Sequence, residues 1–149
     1  MATLRLDEDM LIQAIEGFEG ADWYLDVQAG EFLFWSEYGD SDVDPEDLEE
    51  DTERYRFIEA MDSDEAFCIM EDFVDTLPES EAKRVLAKAL TRPKPFRNFK
   101  DDLCDFPDIR EQWFEYHHKT VRTMAEEWLK EQQIDAELIS GKEYYESRQ

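Results

Sequence analysis

Charge is unevenly divided along this chain, and that division limits what it can fold into. Residues 1–82 hold 27 acidic side chains against three basic ones (Arg5, Arg54, Arg56), whereas residues 83–149 hold 13 of each. The whole net charge of −24 therefore belongs to the first half. From Ala82 to Lys100 there are seven bases (Lys83, Arg84, Lys88, Arg92, Lys94, Arg97, Lys100) and no acid. Like charges packed this densely repel, so the acids must be spread over solvent and the core drawn from apolar residues at regular spacing. Adaptation to a salt-rich cytoplasm would acidify the whole surface, which the balanced second half does not do. With 42% hydrophobic residues in 149, the chain has material for one domain spanning 1–149. No apolar run exceeds about five residues, against roughly 20 for a membrane span, and Met1-Ala-Thr-Leu-Arg5 lacks a secretory apolar segment. Cys68 and Cys104 are too few for a disulfide framework. The expected location is the cytoplasm, with no membrane partner.

Local patterns predict an α+β fold: a small antiparallel sheet of about three strands packed by four or five helices, the last one long. Asp7 reads as an N-cap for a helix over about 8–17, with Leu11, Ala14, Ile15 and Phe18 on one face. Trp23-Tyr-Leu-Asp-Val27 and Glu31-Phe-Leu-Phe-Trp35 flank Gln28-Ala-Gly30 and predict a hairpin over 23–35. Both faces of that hairpin carry large side chains, so one should pack helices and the other be only partly covered. The run 36–53 is polar and interrupted by Pro45, and reads as an exposed acidic loop. Arg54-Tyr-Arg-Phe-Ile58 alternates and supplies a third strand.

Asp62 and Glu65 match a capping box before Phe67, Met70, Phe73, Val74 and Leu77, predicting a helix over 63–76. Thr76 and Glu79 repeat that logic for a helix over 78–91. Pro93 and Pro95 end the run, and Phe96, Phe99 and Leu103 suit a short helix before Pro107. From Pro107 a long helix follows, its stripe being Ile109, Trp113, His117, Val121, Met124 and Trp128. The tail, about 133–149, has weak periodicity and is expected to be loosely attached.

Four segments come in a familiar order: Trp23-Tyr-Leu-Asp with Gly30-Glu31, then Ala66-Phe-Cys-Ile-Met-Glu-Asp-Phe73. They are followed by Ala89-Leu with Lys94-Pro-Phe-Arg-Asn-Phe-Lys-Asp101, and by Trp113-Phe with Glu127-Trp-Leu129. In these the chain resembles the bacterial uncharacterised protein family 0158 over about residues 7–132. Lys94-Pro-Phe-Arg-Asn-Phe-Lys100 is the most specific piece. The resemblance implies a small soluble bacterial protein with no assigned activity, cofactor or catalytic residue.

Candidate chemistry is sparse. Asp40, Asp42, Asp44 and Asp51 alternate like ligands of a calcium loop, but Pro45 stands where the turn needs glycine, and Asp51 where the bidentate glutamate belongs. Glu115-Tyr-His-His118 holds one Glu-x-x-His, whereas di-iron bundles need two copies and two further glutamates. His117 falls on the Trp113 and Val121 stripe and is expected to pack there, with His118 in solvent. Cys68 and Cys104 are expected to be buried structural thiols. No Gly-x-Ser-x-Gly or glycine-rich phosphate cradle is present. No metal, cofactor or catalytic residue is assigned.

The remaining candidate is the basic segment Lys94, Phe96, Arg97, Phe99 and Lys100. Its cations either form a solvated face that offsets the protein's own acids, or grip an anionic partner between aromatic rings. Alternatively, the two phenylalanines anchor a turn in the core while the charges point outward. The leading functional expectation is a non-catalytic interaction or regulatory module that binds another protein, a basic one being the complement of this surface. An acidic nucleic-acid mimic that sequesters a DNA- or RNA-binding protein is the alternative, since ordered carboxylates can stand in for phosphates about 1.7 Å apart along a duplex. An enzyme with an unrecognised site ranks third. Direct binding of nucleic acid is not expected through a surface this acidic.

Overall fold

The computed structural model describes residues 3–17, 21–36 and 44–147. These gather into two units, one formed by residues 1–61 with 121–149, the other by 62–120. No linker-like composition marks the division. Among the described residues no helix is long and apolar enough to cross a membrane.

In the first unit, β1 (Leu4–Asp7) runs directly into α1 (Glu8–Glu16). Asp7 ends the strand and caps the helix, its Oδ1 accepting the Asp9 amide at 3.0 Å. Leu11, Ile12, Ala14 and Ile15 supply the buried face. Next come β2 (Ala21–Asp26) and β3 (Glu31–Ser36), antiparallel, with β4 (Tyr55–Ile58) on the other side of β2. Pairing of Trp23 with Phe34 and Ile58, and of Tyr24 with Leu33 and Phe57, fixes the faces. Trp23, Leu25, Phe32 and Ile58 turn to the core formed with α1 and with Val121, Ala125, Trp128 and Leu129.

The hairpin loop is clamped by one carboxylate. Asp26 Oδ1 accepts the amides of Gln28 and Ala29 and Arg54 Nε, while its Oδ2 accepts Arg54 Nη2 at 2.9 Å. Burial works to raise the Asp26 pKa, but the hydrogen bonds from Arg54 and the two loop amides, with the charge of Arg54, outweigh it and leave the group below its ordinary value. Gly30 closes the loop at φ 68°, a conformation glycine adopts without strain.

Two expectations fail in this unit. The acidic stretch expected as loop contains α2 (Pro45–Glu50), because Pro45 takes the first helical position, where its missing amide hydrogen costs nothing, and Asp44 caps it. Leu48 is the one residue of α2 that is buried. Residues 37–43 of the expected loop lie outside the described residues.

The tail is not loose. β5 (Ala136–Ile139) pairs in parallel with β1, Arg5 donates to Glu143 at 2.7 Å, and α7 (Gly141–Ser147) buries Tyr144. The Tyr144 hydroxyl donates to the Gly30 carbonyl at 2.9 Å, tying the chain end to the hairpin loop.

The second unit is helical: α3 (Ser63–Thr76), α4 (Glu81–Thr91), α5 (Pro95–Leu103) and the first part of α6 (Pro107–Glu131), whose residues from 121 onward belong to the first unit. The capping box forms as expected, Glu65 donating its amide to Asp62 Oδ1 at 2.8 Å and its carboxylate accepting from the Asp62 amide. The cap of α4 is Ser80, not Thr76: Ser80 Oγ accepts the Lys83 amide, and Thr76 instead donates to the Phe73 carbonyl at the end of α3. Trp113 is the hub of the aromatic core, with Phe99 edge-on at 5.0 Å and Phe73 edge-on at 5.3 Å.

Candidate functional site

Each candidate drawn from the sequence has a definite place. In the basic segment, Lys94 stands in the left-handed conformation (φ 58°) ahead of Pro95 at the start of α5, and Asn98 Nδ2 donates to the Pro93 carbonyl at 2.7 Å. Phe99 is fully buried and Phe96 half-buried, so Phe99 is removed from any contact surface and acts as the anchor of the turn. Lys94, Arg97 and Lys100 are exposed. Within this unit Arg97 reaches only Asp101, at 3.9 Å between two largely exposed side chains. The most specific string of the sequence is thus a scaffold of proline, asparagine and phenylalanine carrying three outward cations.

The other candidates disperse. Asp44 caps α2 and Asp51 accepts the Arg54 amide, so both carboxylates serve the backbone, while Asp40 and Asp42 lie outside the described residues. His117 packs half-buried against Trp113 at 5.2 Å, and His118 is exposed. Cys68 and Cys104, expected to be buried, are exposed. Cys68 sits across α3 from the stripe Ile69, Met70, Phe73 and Val74, a helical phase that its apolar neighbours conceal. Among the described residues no group of three His, Cys, Asp or Glu side chains could hold a metal ion.

A different surface collects the features of a binding site, the outer face of the three-stranded sheet. Strand alternation places Asp22, Tyr24 and Asp26 of β2 with Leu33 and Trp35 of β3 and Tyr55 and Phe57 of β4. Tyr24 and Phe57 are paired residues whose rings lie 5.4 Å apart, and Phe57 remains 49% exposed. With Leu48, Glu49, Thr52, Tyr55, Arg56 and Gln132 they line an open cleft of about 450 Å³. The Tyr24 hydroxyl has its pKa raised, first by burial and then by the carboxylates of Asp22 and Glu49, so negative charge bears directly on this aromatic pair.

Two other large apolar side chains are comparably exposed among the described residues, and each has a local partner: Arg110 lies over the Phe114 ring at 5.2 Å, and Tyr145 stands edge-on to Tyr144. A second hollow, of about 400 Å³, is lined by Asp7, Met10, Phe32, Leu33 and Tyr144 beneath the chain end. Sequence reasoning recognised that one hairpin face would be partly covered but did not single out Tyr24 and Phe57. The alternation of Arg54-Tyr-Arg-Phe-Ile58 held the signal, once its register against β2 was known.

These features describe a mixed α+β protein with an acidic, aromatic surface. The chain belongs to the uncharacterised protein family UPF0158, whose model matches residues 1–143. It is similar to the UPF0158 protein PA5073 of Pseudomonas aeruginosa, with 33% identity over 135 residues, covering 90% of this chain and 87% of that protein. No solved structure matches it.

Proposed function

We propose that this protein is a non-catalytic interaction module that binds a basic protein through the acidic unit containing the three-stranded sheet. The observation that carries the reading is the half-exposed Phe57, paired with Tyr24 and flanked by Asp22 and Glu49 on the outer sheet face. Binding surfaces are rich in aromatic side chains, which supply buried area at little cost in conformational freedom. The charge of the unit favours a basic partner, with 26 acidic residues against 7 basic ones in residues 1–61 and 121–149. Such an excess steers an oppositely charged protein by long-range attraction.

The test is a titration of the full chain with a lysine- and arginine-rich peptide, followed by anisotropy at low and high salt. Binding that weakens with salt, and weakens again when Glu46, Glu49, Glu50 and Glu53 are changed to Gln, supports the module. No binding at low salt contradicts it. The mimic reading predicts something else: a DNA-binding protein captured by this chain and released by competing duplex.

A further inference from the structure

We propose that the Tyr24–Phe57 pair is the seat of an arginine side chain of the basic partner, its guanidinium lying on the Phe57 ring beside Glu49. This rests on the module reading above and specifies its point of contact.

The argument begins one residue pair along the same sheet face, where the protein fills an equivalent seat from its own chain. There Arg54 Cζ lies 5.0 Å from the centre of the Tyr55 ring, and its Nε and Nη2 grip both oxygens of Asp26 at 3.1 and 2.9 Å. A planar guanidinium, an aromatic ring and a carboxylate thus meet in one arrangement, which delocalised charge and a flat donor edge favour.

Tyr55 pairs with Asp26 across β4 and β2, and the next outward pair is Phe57 with Tyr24. Here the ring is again on the outer face, and the carboxylates are Asp22, two residues from Tyr24 along β2, and Glu49 of α2. Among the described residues the ring–guanidinium stacks are Arg54 on Tyr55 and Arg110 on Phe114, and neither uses the rings of Phe57 or Tyr24. Arg56 also lines the cleft, but its donors are taken up by the Glu53 carbonyl at 2.7 Å and by the Gln132 carbonyl and side-chain oxygen at 3.3 and 3.4 Å.

Size fits the same occupant. The cleft of about 450 Å³ has the buried Leu48 and the Tyr24 ring as apolar walls, enough to cover an aliphatic stem while the head group stays at the charged rim. Arginine is favoured over lysine because a compact, strongly hydrated ammonium gains less from a ring face and cannot pair edge-on with a carboxylate.

The experiment compares two labelled peptides, alternating arginine–serine and alternating lysine–serine, binding to the full chain and to Phe57→Leu. Leucine keeps an apolar side chain at this half-exposed position and removes the ring. Circular dichroism that matches the parent protein shows that the fold is retained. The expected result is tighter binding of the arginine peptide by about two- to fivefold, the size of one exposed cation–π contact. Phe57→Leu should reduce that preference, weakening the arginine peptide more than the lysine peptide.

Equal affinities in the parent protein, or a preference undiminished by Phe57→Leu, overturn the arginine seat while salt-dependent binding of both peptides leaves the module reading standing. Binding of neither peptide overturns both. A second copy on this face, seen as a dimer in sedimentation without peptide and dissolved by Phe57→Leu, also overturns the seat.

Discussion

Phe99 separates a structural role for the segment Lys94–Lys100 from a binding role. Its side chain is fully buried and meets the Trp113 ring edge-on at 5.0 Å. Phe99→Ala removes most of that side chain and leaves a cavity that the surrounding helices fill only in part, so the expected loss is about 3–5 kcal/mol. Of this, the edge-on ring contact accounts for about 0.5–1.5 kcal/mol. The cations are different. Among them Arg97 has one weak partner, Asp101 at 3.9 Å, with the two side chains 74% and 71% exposed. An exposed i,i+4 pair contributes about 0.3–0.5 kcal/mol, so the triple change of Lys94, Arg97 and Lys100 to Gln should cost no more than about 0.5 kcal/mol. Loss of three positive charges also sharpens repulsion among the acids, which physiological salt screens over about 8 Å. Urea denaturation followed by circular dichroism at that ionic strength measures both variants. A Phe99→Ala protein within about 1 kcal/mol of the parent, or a triple variant that loses more than Phe99→Ala, would refute the assignment of Phe99 to the core and the cations to solvent.

Three further outcomes follow from particular groups. Asp26→Asn should destabilise the protein at neutral pH, and the deficit should close in acid: a carboxyl held below its ordinary pKa stabilises the fold above about pH 4 and ceases to do so as pH falls through the lowered value. Denaturation midpoints of both proteins between pH 7 and acid, about pH 2, read this directly. Lys94→Gly should raise stability by about 0.5 kcal/mol, since a left-handed backbone costs a side-chain-bearing residue about 1 kcal/mol and glycine returns part of that gain through its freer unfolded chain. An unchanged or lower midpoint would count against the strained turn. Raising sodium chloride to about 0.3 M should lift the melting temperature by screening the acidic unit, and a flat or falling profile would show that self-repulsion does not dominate.

Short-range chemistry was legible in the sequence because its partners are a few residues apart. The Asp7 cap, the Asp62–Glu65 box, the hairpin around Gly30 and the stripe of α6 all belong to this kind. What escaped depends on distant partners. β5 has only four residues and finds its partner in β1, 132 positions away in register, so its pattern alone does not mark it as a strand. Tyr144 is buried for the same reason, through a bond to Gly30. Pro45 reads as a breaker unless its place at the first turn of a helix is known, and the burial of Leu48 cannot be seen in so acidic a run. The division into two units falls within the continuous α6, at residues 120 and 121, where no change of composition announces it. At the candidate site the sequence drew attention to Lys94-Pro-Phe-Arg-Asn-Phe-Lys100 because its composition is unusual, and that unusual composition serves a turn with Phe99 as anchor. The pair Tyr24 and Phe57 is ordinary in composition and is made distinctive only by register, which lies between strands.

The central claim, that a basic partner docks on the outer sheet face, is tested most directly by amide nuclear magnetic resonance of the full chain titrated with an arginine-rich peptide. The account predicts shifts that saturate together at Asp22, Tyr24, Glu49, Tyr55 and Phe57, with the amides of residues 94–100 unmoved. Shifts spread evenly over every acidic segment, or an unperturbed spectrum around Tyr24 and Phe57, would contradict it.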